Sequence, residues 1–473
     1  MKNNWQAVTL IFCVAIYIIY FTTASFLRYD NFYTGRFDLG NMDQTVWNTI
    51  NGRIFQTSDF SGKPVSRLTT HADFLLIFLS PFYLIWSHPK MLLLIQAIVL
   101  GVGAFFVYAI AKDILKNKSL SLLFAVTYLL YPALQYTNLY DFHAVTLATT
   151  FLLAAFYFLL KNKYILLIIF LVLSGFAKEQ VWLVCALFGI YIFLFKKKSY
   201  FKKLGIFVFI ASSFLLYYLI WHAIPSTRGE EHFAISYYSQ LGDSPTEVVR
   251  NFLLSPQSTI GTILSEDRLN YLGQLFRPLG FLSLLSPFYL IFALPDLFIN
   301  LLSNNSNLHQ IYYQYSAIIT PFIFISSIYG IGNFMRWFRK VPHITYYVYI
   351  SLFLLYSCYI TGPLPGTKRP NTAMFTKPQE NRQIIDSFLS GVPKEYSISA
   401  TNNLGSHLSQ RQLIATIPDG IGNADMVLFL VNDISSKQGQ DQMILVNKLR
   451  NDENYREVFK KEGFVVFKKK DLI

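Results

Sequence analysis

Residues 164–195 read YILLIIFLVLSGFAKEQVWLVCALFGIYIFLF, two apolar stretches joined at Lys178-Glu179-Gln180. A bilayer core takes roughly 18 to 20 apolar residues to cross, so the run reads as a hairpin of two membrane spans with one charged pair near its bend. The rest of the chain agrees. Of its 473 residues, 53% are hydrophobic and only 14% charged, against about 25% charged in a soluble globular protein. The 44 Phe and 31 Tyr exclude disorder, because disordered chains are poor in apolar and aromatic residues. The composition is that of a polytopic membrane protein.

Outside the hairpin, which divides into 164–178 and 179–195, further apolar runs occupy 5–26, 91–112, 119–136, 143–160, 204–222, 313–333 and 342–361. The first is longer than the apolar core of a signal peptide, about 7 to 15 residues, and is expected to remain as an anchor. Residues 72–87 contain Pro81, and residues 278–303 contain Pro287 and Pro295. Both segments are expected to be re-entrant or interfacial, leaving an all-α protein of nine spans. With the N-terminus inside, segments 1–4, 112–118, 161–163, 196–203 and 336–340 are cytoplasmic. They hold 14 Lys and Arg against one acid, Asp113. If both interrupted segments crossed, ten of those cations would move outside, against the positive-inside bias. The net charge of +13 therefore reflects topology in a plasma (inner) membrane, with no nucleic acid as partner. Cys13, Cys185 and Cys358 each lie in an apolar run without Cys-x-x-Cys spacing, which indicates neither a thiolate metal site nor a redox pair.

This topology defines a membrane domain over 1–362, with a first outer loop at 27–90 carrying surface helices and a second at 223–277. After Pro363 and Pro365 the composition changes, and 366–473 is expected to form an autonomous extracytoplasmic α/β domain. Helices are expected at 379–390 and 436–452, strands at 395–401, 412–417 and 424–431, and a hairpin around Lys461-Glu462-Gly463. Asn402 or Asn403 is expected to cap a short helix running through Leu408.

Several polar groups gather on the outer side. In the first loop, apolar residues recur with helical spacing at Leu39, Met42, Val46 and Ile50, which suggests an amphipathic helix lying on the membrane surface. Asp38 stands where an N-cap would be, and Asp43 points away from the apolar stripe. Asp141-Phe142-His143 could share a metal or form an acid–base pair; capping by Asp141 is the plainer alternative. Lys178 and Glu179 either pair with each other or line a cavity, where Lys178 would hold a phosphate as a point charge. His71 and Asp73 open the 72–87 segment, and His309 precedes a cluster of tyrosines. No Asp-x-Asp, phosphate-cradling glycine loop, Gly-x-Ser-x-Gly or His-Glu-x-x-His occurs, so soluble-enzyme templates give nothing.

Asp38-Leu39-Gly40 with Asp43-Gln44 and Trp47-Asn48, then His71-Ala72-Asp73-Phe74, Asp141-Phe142-His143 and Lys178-Glu179, together resemble the family of predicted membrane proteins called domain of unknown function 2079. Tyr315-Ser316-Ala317 and the stretch from Ser399 to Leu408 extend the likeness. That family in turn resembles C-type glycosyltransferases, polytopic enzymes that use polyprenyl-phosphate-linked sugars outside the cytoplasm. The resemblance implies transfer of a sugar from a polyprenyl phosphate to an outer-face acceptor, with membrane lipids as surroundings. It also implies a catalytic carboxylate in the first outer loop, the place that Asp38 and Asp43 occupy. Asp38 is favoured as the base, since the residue before the helix faces Asp141–His143 and Lys178–Glu179. Under this reading His71, Asp141, His143, Lys178, Glu179 and His309 contact substrate, 72–87 walls a groove for the prenyl tail, and a divalent cation is optional. The missing Asp-x-Asp departs from metal-dependent oligosaccharyl transfer. A transporter or lipid flippase and a non-catalytic envelope protein are the competing classes; the former often shows an inverted repeat, and none is visible here.

Overall fold

The computed structural model describes residues 5–254 and 256–472. It is mostly helical, with a small sheet near the C-terminal end. Helix α1 (Trp5–Asp30) leads to α2 (Asn41–Ile50) and the short α3 (Leu75–Leu79). Then follow α4 (Lys90–Leu115), α5 (Lys118–Leu130), α6 (Pro132–Leu139), α7 (Ala144–Leu160), α8 (Tyr164–Gly175), α9 (Val181–Phe195) and α10 (Ser199–Arg228). Two later helices span Thr320–Trp337 and His343–Thr361.

A helix therefore stands at each expected span, but the helices differ in length. Four of those described are long and apolar enough to cross a membrane: α1, α4, α10 and His343–Thr361. A fifth span forms if α5 and α6 count as one, bent by 42°. Pro132 causes that bend, because the residue before a proline is driven out of the helical region, and Tyr131 is extended there. The hairpin of α8 and α9 is shorter than read from its apolar run, since residues 176–180 unwind around the charged pair. Residues 72–87 break into α3 and a 3-10 turn at Ser80–Leu84, while 278–303 breaks into 3-10 turns and a helix at Leu294–Leu301.

Small residues set the closest helix packing. A Cβ on Gly189 of α9 would lie 2.5 Å from the Phe209 nitrogen, and one on Gly205 of α10 would lie 2.6 Å from the Phe193 nitrogen. Backbones meet this closely in membranes where side chains are absent. The lysine-rich short loops meet one another at one end of the bundle. Lys161 Nζ reaches Asp113 at 2.6 Å, Lys196 Nζ reaches Asn162 at 2.8 Å, and Asn117 reaches His343 at 3.2 Å. The loops that follow α1, α6 and α8 meet at the other end.

A small hairpin, β1 (Gln56–Ser58) and β2 (Pro64–Ser66), sits in the first of those loops. The C-terminal sheet comprises β3 (Ile398–Ala400), β4 (Ile414–Thr416), β5 (Met426–Leu430), β6 (Tyr455–Lys461) and β7 (Phe464–Lys469), in the order β4-β3-β5-β7-β6. β3, β4 and β5 run parallel; β7 is antiparallel to β5 and β6. Every residue of β5 is buried because both faces are covered, as is usual for parallel strands. Met426, Leu428 and Leu430 pack with Ile385 and Leu389 of the helix Arg382–Ser390. Val427 and Phe429 pack with Val446 and Leu449 of Lys437–Arg450. The domain is less self-contained than its composition suggests, since Phe32, from the loop after α1, is 1% exposed within its core. The short helix ends at Gly405 rather than Leu408, and neither Asn402 nor Asn403 caps it.

Candidate functional site

The loop after α1 passes Gly35 in an extended conformation and enters a π-helical turn, Arg36–Gly40, that runs directly into α2. Asp38 is therefore inside a helical turn and not its N-cap, a difference with a tertiary cause. The free amides of Arg36 and Phe37 donate to Asn402 Oδ1 of the C-terminal domain at 2.8 and 3.3 Å. The Gly35 amide donates to Asp141 Oδ2 at 2.7 Å. With its capping role taken by other residues, the Asp38 carboxylate accepts from Tyr140 Oη at 2.9 Å and faces His143 Nε2 at 3.0 Å. His143 Nδ1 lies 3.0 Å from the Asp141 carbonyl oxygen. A carbonyl only accepts, so Nδ1 carries a hydrogen and the ring is oriented with Nε2 on the Asp38 carboxylate. Burial pushes the Asp38 carboxyl up, but the hydrogen bond and charge of His143, with Tyr140 and Arg67, outweigh it and hold it below the ordinary carboxylate range. Its side chain remains 29% exposed.

That exposed edge opens on a cavity of about 880 Å³. His71, His143, Lys178 and Glu179 also border it, together with Arg67 and Asp73, which pair at 2.8 Å. Two further groups join them from the segment after α9: Arg228, at the end of α10, and His232. Neither stands out in the sequence; the one signal is the charged run Arg228-Gly229-Glu230-Glu231-His232 directly after an apolar helix. Lys178 and Glu179 are not each other's partner. Glu179 Oε1 lies 2.9 Å from His71 Nδ1 and 3.3 Å from His232 Nε2, and Oε2 accepts from the Ala72 amide at 3.0 Å. Those three ligand-type side chains could hold a metal. The apolar wall comes from Leu183, Ile220, Trp221, Val249, Phe252 and Phe298; of residues 72–87, expected to wall a groove, only Asp73 lines it.

Three of the expected site residues lie elsewhere. Asp43 is fully buried, accepting from Tyr83 Oη at 2.5 Å, Ser409 Oγ at 2.6 Å and Gln410 Nε2 at 3.2 Å. Burial pushes its carboxyl up to about 6 despite these bonds. Asp141 is buried behind the Asp38 turn with Arg28 at 3.6 Å, and burial raises it too, to about 6. His309 pairs with Asp267 at 2.9 Å, off the cavity. Helix α2 is no surface helix: Met42, Asp43, Gln44, Thr45, Val46 and Asn48 are buried. Its Gln44 donates to the Arg411 carbonyl at 2.9 Å, and Gly405 packs against Arg36 so tightly that a Cβ would lie 2.2 Å from the Arg36 Cβ.

A comparison with curated proteins returns no match. Residues 28–466, which take in the Asp38 turn, the cavity and nearly all of the C-terminal domain, match the family model described as "Predicted membrane protein (DUF2079)". The chain belongs to that family of predicted membrane proteins.

Proposed function

We propose that the protein is a membrane glycosyltransferase, with a C-type-like architecture, that moves a sugar from a polyprenyl phosphate to a hydroxyl acceptor on the extracytoplasmic face. The observation that carries this reading is the pairing of an oriented, ionised carboxylate with cations across one cavity. Asp38 opens on it from one loop, while Lys178 and Arg228 border it from two others. An apolar wall adjoins them, as a lipid-linked donor requires. In this reading the chain spans the membrane nine times, with the N-terminus cytoplasmic and 366–473 outside. The gathering of the lysine-rich loops at the opposite end supports that orientation, since such loops stay in the cytoplasm.

The acceptor oxygen attacks the sugar's anomeric carbon, and the bond from that carbon to the phosphate oxygen breaks. Polyprenyl phosphate leaves with the electron pair. Asp38, held low in pKa, accepts the hydroxyl's hydrogen bond from the outset and takes the proton as the attacking oxygen becomes acidic. Lys178 and Arg228 balance the leaving phosphate as fixed charges placed in advance. His143 and Tyr140 orient Asp38, and Asp141 fixes the turn that carries it. Asp43 and His309 do not reach the reacting atoms. Asp38→Asn keeps the shape and removes the base. In membranes holding equal amounts of protein, transfer from a polyprenyl-phosphate sugar should fall by about 10² to 10⁴-fold, the usual worth of a positioned base. Full transfer by Asp38→Asn would sink the mechanism.

A further inference from the structure

The geometry points to a divalent transition-metal site formed by His71, Glu179 and His232, of the kind that takes zinc. Two imidazoles and one carboxylate are a ligand set for catalytic zinc, which keeps its fourth position open. All three ligand atoms lie within 4.8 Å of one another. Metal–ligand bonds of about 2.0 to 2.1 Å in a tetrahedron place ligand atoms about 3.3 Å apart, which is the His232–Glu179 separation of 3.3 Å.

Independent observations mark the cluster as a binding site. His232 Nε2 is buried and makes no hydrogen bond, although its side chain is only 6% exposed and aims at Glu179. The Ala72 amide fixes the second Glu179 oxygen, the outer support that orients a metal-bound carboxylate. All three residues border the cavity, so the fourth position opens to it. One carboxylate with two neutral imidazoles carries a single negative charge, and a dication would leave the site cationic beside Lys178. The ligands come from the loop before α3, the turn between α8 and α9, and the segment after α10. A bound cation would join three segments distant in sequence.

One contact opposes binding. His232 Nδ1 accepts from the Ala234 amide at 3.1 Å, which places the ring proton on Nε2. Coordination through Nε2 requires that proton to move to Nδ1, and the Ala234 bond is then lost. One hydrogen bond is exchanged for the coordination bonds.

The test does not depend on glycosyl transfer. Full-length protein in detergent, without a polyhistidine tag and stripped by chelator, is titrated with Co²⁺ and then with Zn²⁺. The wild type should bind one equivalent of Co²⁺ with the visible absorption of a tetrahedral site, and Zn²⁺ should displace it. Glu179→Gln and His232→Ala should each weaken binding by about 100-fold or more, since loss of outer partners alone costs 10- to 100-fold. His309→Ala should bind as wild type, and metal-free melting curves would confirm that the variants fold. A wild type that retains no Co²⁺ or Zn²⁺, or equal retention in all variants, would show a cluster held by hydrogen bonds alone and overturn the assignment.

Discussion

Asp38 and Asp43 stand five positions apart on one continuous helical segment, the π-helical turn and α2, yet the two sides of that segment meet different surroundings. Asp38 faces a cavity, keeps a wet edge, and is held low by an imidazole and a phenol. Asp43 faces the C-terminal domain, has no exposure, and is pushed up to about 6 by burial. The same residue type thus stands as a charged group at the edge of a cavity on one side and as a sealed interdomain contact on the other. Burial and partners, rather than position in the loop, decide which.

The largest expected effect separates the two sides directly. Asp38→Asn should lose transfer by about 10² to 10⁴-fold, while Asp43→Asn should keep it. An amide at 43 fits the donors there: its oxygen can accept from Tyr83 and Gln410, and its nitrogen can donate to Ser409, whose hydroxyl already contacts the Ser406 carbonyl. Equal losses in the two variants would erase the distinction.

Much of the cavity side was legible, because ionisable residues in an apolar sequence are conspicuous. Asp38, His71, His143, Lys178 and Glu179 all border one cavity; the cost of charge in an apolar run marked Lys178 and Glu179, and their place in the outer loops marked the others. His232 and Arg228 did not stand out, since they belong to one charged run after an apolar helix, from Arg228 to His232, in which no single charge is conspicuous. The buried side was legible as a helix but not as an interface. Nothing local shows that Gln44 and Asp43 bond to residues near 410, or that Phe32 completes another domain's core. The capping of Asp38 failed as an expectation because its competitor, Asn402, lies 366 positions from Arg36. The strands and helices of the C-terminal domain were legible from pattern alone, shifted by a few residues.

The next effect concerns stability and sharpens the sealed side. Asp43 has an ordinary value of 3.8 and a folded value of about 6, so the folded state binds its proton more tightly than the unfolded one. The associated stability is complete below pH 4, is lost as pH rises from about 4 to 6, and changes no further above that. The slope is at most about 1.4 kcal/mol per pH unit. Melting curves of detergent-purified protein should show this decline, and in Asp43→Asn, which has no proton to release, it should shrink to the part that Asp141, also raised to about 6, contributes. Identical pH profiles would mean that the carboxylate is not sealed as described.

The smallest effect tests what joins the two sides. Asn402 Oδ1 accepts from the amides of Arg36 and Phe37, so a residue of the C-terminal domain holds the first turn of the segment that presents Asp38. The arrangement is a side-chain cap supplied from a distance, and caps are worth about 0.5 to 2 kcal/mol. Asn402→Ala leaves both amides without that acceptor, whereas Asn402→Asp keeps the acceptor and places a negative charge at a helix N-terminus, where it is favourable. Hydrogen exchange at Arg36 and Phe37 should quicken about 5- to 30-fold in Asn402→Ala, as expected for 1 to 2 kcal/mol. It should remain near wild type in Asn402→Asp. Transfer should fall less than in Asp38→Asn, because the base is present but less well held, and the aspartate should restore it. Were Asn402→Ala to leave exchange at those two amides unchanged, the turn would be held by its own packing, and the two sides would be independent.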